Sequence, residues 1–245
     1  SQVDLPEEYR DYIYNECLEV PEHLQSYLLS YCHEAGFSAP FADSSFREAP
    51  DYVGSEEEMD LINEQRRILA FEVYSHFIKN YDYTMSPGAS PVNDDFVQYF
   101  LSTQKRGYCV HFASSAVMLL RTMGVPCRYA EGYCLPPTLV AEGQPVAGES
   151  VSDWYTGPTT LQEQGIIEVD VNDSYAHAWI EIYMEGYGFI PFEVTPADMD
   201  DDMGIPDIAG LFSGLFDIDF NMAELPDANP DDNITQPQEA ISGLF

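Results

Sequence analysis

Apolar residues recur at helical spacing over residues 6–20 and again over 21–35, and each stretch opens on Pro followed by Glu, which predicts two N-terminal helices. Gly36 closes the second. Residues 37–54 are rich in Ser, Ala, Pro and Asp without periodicity, so a connecting loop is expected there. Ser55 with Glu58 three residues on is a capping box, and it opens a long amphipathic helix through Leu61, Ile62, Leu69, Val73 and Phe77 to about Lys79. A loop with Pro87, Gly88 and Pro91 follows. Asn93 or Asp94 can then cap a short helix carrying Phe96, Val97, Phe100 and Leu101, before Gly107 interrupts the chain just ahead of Tyr108 and Cys109.

From Val110 to Met123 the chain is apolar on nearly every side and stops at Gly124, with Pro126 beyond, which describes a buried central helix with a glycine stop. Cys109 therefore belongs to its first turn. Arg128 to Tyr133 reads as a strand, whereas residues 136–165 show little periodicity and predict a long loop or insertion holding an irregular hairpin. Strand character returns at residues 166–171. It strengthens at 175–184, where Ala178, Ile180 and Ile182 alternate with His177, Trp179 and Glu181, and the turn Glu185-Gly186-Tyr187-Gly188 leads into a strand over 189–194.

The charge balance narrows the partners. Nine Lys plus Arg against 43 Asp plus Glu give a formal charge of −34, a field that repels phosphate backbones and argues against nucleic-acid binding. No window approaches 18 consecutive apolar residues, and the first residues have neither a basic nor an apolar leader pattern, so any membrane association is expected only through segments absent from this chain. A start at Ser1 and an acidic end suggest the excised soluble domain of a larger protein. Five cysteines, Cys17, Cys32, Cys109, Cys127 and Cys134, leave at least one free thiol in a monomer. Cys127 and Cys134 fall along one strand about 23 Å apart, too far for a disulfide.

A thiol is a weak nucleophile until its proton is easily lost, and a helix N-terminus with a neighbouring imidazolium favours the thiolate. Cys109 meets the first condition by position, although position alone also suits a small buried hydrophobe. His177 lies on the polar side of a strand, 16 residues from Glu193, and the midpoint near Glu185 lets a hairpin set the two side chains opposite or diagonal. A carboxylate there would fix the tautomer of the imidazole, completing a set of nucleophile, base and orienting acid. Without a cysteine nearby, His177 would be an ordinary strand histidine.

The segment Gly107-Tyr108-Cys109-Val110-His111-Phe112-Ala113, followed by Leu119-Leu120-Arg121, Gly124-Val125-Pro126-Cys127-Arg128 and Gly132-Tyr133, resembles the cysteine motif of the transglutaminase-like superfamily. Ala176-His177-Ala178-Trp179-Ile180-Glu181-Ile182-Tyr183 and Gly188-Phe189-Ile190-Pro191-Phe192-Glu193-Val194-Thr195-Pro196 are similar to its histidine and carboxylate strands, and Tyr81-Asp82-Tyr83-Thr84 to a segment upstream of the cysteine. The family usually has Asp where Glu193 stands, and bacterial relatives often have Glu where Val110 stands. The resemblance implies an α+β, papain-like transglutaminase core, with the cysteine helix packed on an antiparallel sheet. It implies acyl transfer or hydrolysis on peptide or protein amides by Cys109, His177 and Glu193, with no cofactor. The backbone N–H of Cys109 would serve the oxyanion, and Gln104, Tyr108, Tyr83 and Trp179 are further oxyanion or substrate candidates. A cysteine peptidase or amidase on the same fold, or a non-catalytic module binding peptides or cell-wall material, are the alternatives. An extracellular or cell-surface setting, anchored to a membrane, is the resemblance-based expectation.

His111 and Cys109 lack a second Cys/His pair at ligand spacing, so no metal is expected. Asp198, Asp200 and Asp202 resemble a calcium loop, but Gly204 comes one place late and Ala209 occupies the twelfth position, so a solvated acidic turn fits better. Asn233-Ile234-Thr235 matches a glycosylation sequon by pattern alone. The chain divides into an N-terminal helical extension, 1–54, a catalytic core, 55–197, and an acidic C-terminal extension or linker, 198–245.

Overall fold

The computed structural model describes residues 6–39, 56–135, 137–145 and 167–196. The loop expected over 40–54, the Ser55 cap, the middle of the insertion, the acidic turn around Asp200 and the sequon lie outside the described residues.

Helix α1 (Glu7–Tyr14) begins after Pro6, and its two leading glutamates complement the helix dipole. It is shorter than the hydrophobic pattern predicts. Asn15, a residue whose side chain competes for backbone partners, ends it, and a 3₁₀ turn over Glu16–Leu18 buries Cys17 instead. Helix α2 (Glu22–Ala35) ends as expected on Gly36, whose φ of 77° lets its N–H reach the carbonyls of Cys32 and His33.

Helix α3 (Glu56–Asn80) buries Leu69, Ala70, Val73 and Phe77. Its first half departs from the simple amphipathic reading, because Leu61 is 66% exposed while Arg66 is 4% exposed and Asn63 is buried. Strand β1 (Asp82–Tyr83) follows. Helix α4 (Phe96–Tyr99) is capped by Asp95, neither Asn93 nor Asp94: the Asp95 carboxylate accepts from Gln98 N–H at 3.0 Å. It runs into a π-helical turn, Phe100–Gln104, that ends at Lys105 with φ 49°.

Strand β2 (Arg106–Gly107) pairs in parallel with β1, and α5 (Cys109–Thr122) begins two residues later. At its far end Val125 N–H bonds to the Leu120 carbonyl and Gly124 N–H to Arg121, with Gly124 at φ 83°, a Schellman stop that the glycine and following proline foretold. Strand β3 (Cys127–Tyr133) and helix α6 (Pro137–Ala141) follow, and β4 (Gln144–Pro145) pairs antiparallel with β5 (Ile167–Glu168). Of the strand expected over 166–171, the described residues pair only at Ile167 and Glu168. Strands β6 (Ala176–Met184) and β7 (Gly188–Phe192) complete the order β3-β6-β7, antiparallel throughout.

The result is α+β. Helix α5 packs on β3 and β6 and is flanked by α2 and α3, which explains why its sequence is apolar on nearly every side. An aromatic cluster wedges its first turns in place: Phe112 lies 5.4 Å from Phe77 and 5.2 Å from Phe100 between ring centroids, and Tyr81 lies 5.0 Å from Phe100. Tyr81 also donates to the Leu101 carbonyl at 2.9 Å. Arg121 fastens the N-terminal segment to this core by donating to the carbonyls of Glu19 and Cys127. All five cysteines are free. Phe112 is fully buried, so Phe112→Ala leaves a ring-sized void beside α5; urea denaturation is expected to show a loss of about 3 to 5 kcal/mol.

Candidate active site

Helix α5 starts where three chain features coincide. Tyr108 is extended, its N–H faces Nδ1 of His111 at 3.4 Å, and His111 N–H returns to the Tyr108 carbonyl at 2.8 Å. The His111 ring is buried against Phe96, Phe100 and Tyr108, with centroids 4.8, 5.5 and 4.6 Å away. Burial holds its pKa below the usual histidine range, which keeps the ring neutral and able to accept. His111 is therefore a helix cap. Gly107 makes room for it: a Cβ at that position would lie 2.5 Å from His111 Cγ. The parallel β1–β2 pairing sets Tyr83 beside Gly107, and Thr84 N–H bonds to the Gly107 carbonyl at 2.7 Å.

Cys109 is the first residue of α5 and is 9% exposed, enclosed yet reachable. Its backbone N–H is one of the first donors of the helix, which have no partner four residues back within it. His177, second residue of β6, holds Glu193 with Nε2 to Oε2 at 2.5 Å, and both side chains are largely withdrawn from water, at 13% and 10% exposure. Glu193 is itself fixed, its Oε1 accepting from the backbone N–H groups of Val194 at 3.0 Å and Thr195 at 2.7 Å. The hairpin register pairs Ile180 with Phe192, so it centres on Gly186, one place beyond the expected midpoint. Carried past the end of β7, that register sets Glu193 diagonal to His177 on the same face, and the long glutamate side chain spans the diagonal.

Cys109 lies near enough to the imidazole to act on it. Burial alone would lower the histidine pKa, but Cys109 and Glu193 together reverse it, raising it to about 10. The structure thus brings Cys109, His177 and Glu193 together from the start of a helix, a strand and the residue after the next strand.

The other residues picked from sequence take different positions. Trp179 stacks on His177 with centroids 6.4 Å apart and planes 18° from parallel, and its Nε1 is buried without a partner. Its ring lies across Gly132, where a Cβ would come within 3.0 Å. Gln104 turns its amide N–H toward the Pro87 carbonyl at 3.2 Å and leaves Oε1 buried without a partner. Tyr108 spends its ring edge-on against His111, and Tyr83 donates its hydroxyl to Met85 Sδ at 3.2 Å. One residue escaped the sequence reading. Tyr129 on β3 donates to Glu131 at 3.2 Å and is pushed up to about 12 by burial, then by Glu131 and by the nearby Cys109 and Tyr108. The alternation of β3 was the signal that could have found it.

The model of the transglutaminase-like superfamily matches residues 61–194, just over half of the 245 residues. The chain belongs to the transglutaminase-like superfamily. Its α5 packed on the antiparallel sheet β3-β6-β7 is the α+β core in which this match falls. The chain is 33% identical over 106 residues to the uncharacterized protein YebA of Bacillus subtilis (strain 168), an alignment that spans 43% of this chain and 12% of that protein. It is similar to the periplasmic domain of TgpA from Pseudomonas aeruginosa bound to ethylmercury, with TM-score 0.43 and 20% identity over 74% of this chain and 48% of that one. A second structure of the TgpA domain gives TM-score 0.35 and 19% identity, over 72% and 48%. This transglutaminase-like chain therefore spans a fraction of YebA and about half of the TgpA domain. Among the described residues no helix is long and apolar enough to cross a membrane, and no three His, Cys, Asp or Glu side chains gather to hold a metal.

The raised His177 pKa makes folding depend on pH. Because the folded value of about 10 exceeds the reference of 6.5, the extra stability is fully present below pH 6.5 and fades as pH rises through about 10. Chemical denaturation of the wild type against His177→Gln is expected to show a difference that shrinks by on the order of 2 to 4 kcal/mol across that window; a flat difference contradicts it.

Proposed function

We propose that this domain is a thiol enzyme performing acyl transfer or hydrolysis on peptide or protein amides. The observation that carries the reading is the His177 ring bonded to Glu193 with Cys109 near enough to act on it. Superfamily membership supports an enzymatic role of this class.

In the proposed reaction the sulfur of Cys109, paired with the protonated His177 ring, forms a bond to the amide carbonyl carbon. The carbonyl oxygen takes the electron pair and becomes an oxyanion beside the backbone N–H of Cys109 at the start of α5. His177 then gives its proton to the departing nitrogen, the C–N bond breaks and an acyl-thioester remains. An amine or water attacks the thioester carbon and gives its proton to His177, the C–S bond breaks with its electron pair going to the Cys109 sulfur, and a new amide or a carboxylic acid is released. Glu193 keeps the ring oriented and offsets its positive charge throughout. A peptide or protein is the proposed substrate, and the extracellular or cell-surface setting expected from sequence stays part of this proposal.

Incubation with a glutamine-containing peptide tests it, with ammonia release measured with and without a primary amine. Ammonia release is expected from the wild type and none above background from Cys109→Ala, while Glu193→Gln falls by roughly 10²- to 10⁴-fold. Amine incorporation marks transfer, and release that ignores the amine marks hydrolysis. Equal turnover by wild type and Cys109→Ala, or none by either across glutamine peptides and simple esters, contradicts the proposal.

A further inference from the structure

The pairing of His177 with Glu193 depends on the register of a strand that is poorly marked in its own sequence. Strand β7 has five residues, lies at the edge of the sheet, contains Pro191 and is mostly half-exposed. Its turn carries two glycines at positive φ, Gly186 at 79° and Gly188 at 86°, a backbone that tolerates other turn geometries. Because side chains alternate with a period of two, a slip of one residue would carry Glu193 to the opposite face from His177. Something outside the hairpin has to hold it.

Three side chains converge on the turn and meet that of Glu185. Asn63 clamps Glu185 as a neighbouring strand would: its Oδ1 accepts from Glu185 N–H at 2.7 Å and its Nδ2 donates to the Glu185 carbonyl at 3.0 Å. Arg66 donates through Nη1 to the Tyr183 carbonyl at 2.9 Å and to Glu185 Oε1 at 3.1 Å, and through Nη2 to the Tyr14 hydroxyl at 3.2 Å. The Tyr14 hydroxyl in turn donates to Glu185 Oε1. The guanidinium carbon lies 5.9 and 5.7 Å from the ring centroids of Tyr14 and Tyr183. Tyr187 N–H closes the turn onto the Met184 carbonyl at 3.1 Å. Backbone atoms at the end of β6 and the first turn residue are thereby pinned to α3, and the side chain of Glu185 is bonded as well, which neither of its neighbours, Met184 or Gly186, could reproduce after a slip.

We propose that Asn63, Arg66, Tyr14 and Glu185 form a register lock on the β6–β7 hairpin and act as positioning residues for the His177–Glu193 pair. The inference rests on the proposed thiol chemistry for its functional meaning. It makes the N-terminal helix α1, through Tyr14, part of the machinery that aims the carboxylate.

The test uses the full chain carrying Asn63→Ala or Tyr14→Phe, with Glu193→Gln as the reference for a lost carboxylate. Proton NMR follows the titration of the His177 ring at a temperature where circular dichroism shows each protein folded. The lock predicts that Asn63→Ala moves the His177 midpoint by about one pH unit or more toward that of Glu193→Gln, and that Tyr14→Phe moves it the same way by less. A purely stabilising role predicts lower melting temperatures with midpoints within about 0.2 unit of wild type, and that result overturns the proposal. Should Asn63→Ala fail to fold, Tyr14→Phe is judged by the same two outcomes. The titration reads the lock in the absence of substrate, so a wild type with no turnover whose His177 still responds to Asn63→Ala sinks the enzymatic reading and leaves the lock standing.

Discussion

A carboxylate bonded to an imidazole at 2.5 Å, in a place largely closed to water, is the interaction on which the candidate site depends. Burial by itself drives a histidine toward its neutral form, and here it is overcome by Glu193, bonded to the ring, and by Cys109 near it. Glu193 can do this because two backbone N–H groups hold its second oxygen, so its negative charge is anchored before the ring arrives. The three side chains belong to segments separated by up to 84 positions along the chain. Their meeting is a property of the whole core.

That core supplies each part separately. The aromatic cluster of Phe77, Tyr81, Phe100 and Phe112 fixes the first turns of α5, and His111 with Gly107 fixes where the helix begins, so the sulfur has one address. The alternation of β6 buries Ala178, Ile180 and Ile182, which turns His177 and Trp179 the other way. The hairpin then returns Glu193 to the same face, under the proposed hold of Asn63, Arg66 and Tyr14 on its turn.

Much of this was legible in the sequence because its signals are local. Gly107 before Cys109 and Gly124 before Pro126 bracket α5, and the alternation around His177 with a glycine-rich turn brackets the hairpin. The failures were of another kind. Arg66 and Asn63 read as the polar side of a helix, yet they are buried because their partner, Glu185, lies over a hundred residues away. Leu61 fitted the apolar stripe and is exposed. Spacing sets aside a metal at His111 and assigns that residue no other role, and its part as a cap follows from ring packing that no spacing rule reveals. Three neighbouring residues, Asn93, Asp94 and Asp95, could each cap α4, and backbone geometry decided for the last.

The central claim is that one cysteine among five is set apart by the histidine beside it. Iodoacetamide labelling at near-neutral pH, followed by peptide mapping, measures each thiol separately. The account predicts that Cys109 is alkylated at least about 10-fold faster than the half-buried Cys134, and that His177→Ala removes this advantage while the protein stays folded. Labelling of Cys109 no faster than Cys134, or unchanged in His177→Ala, would contradict it.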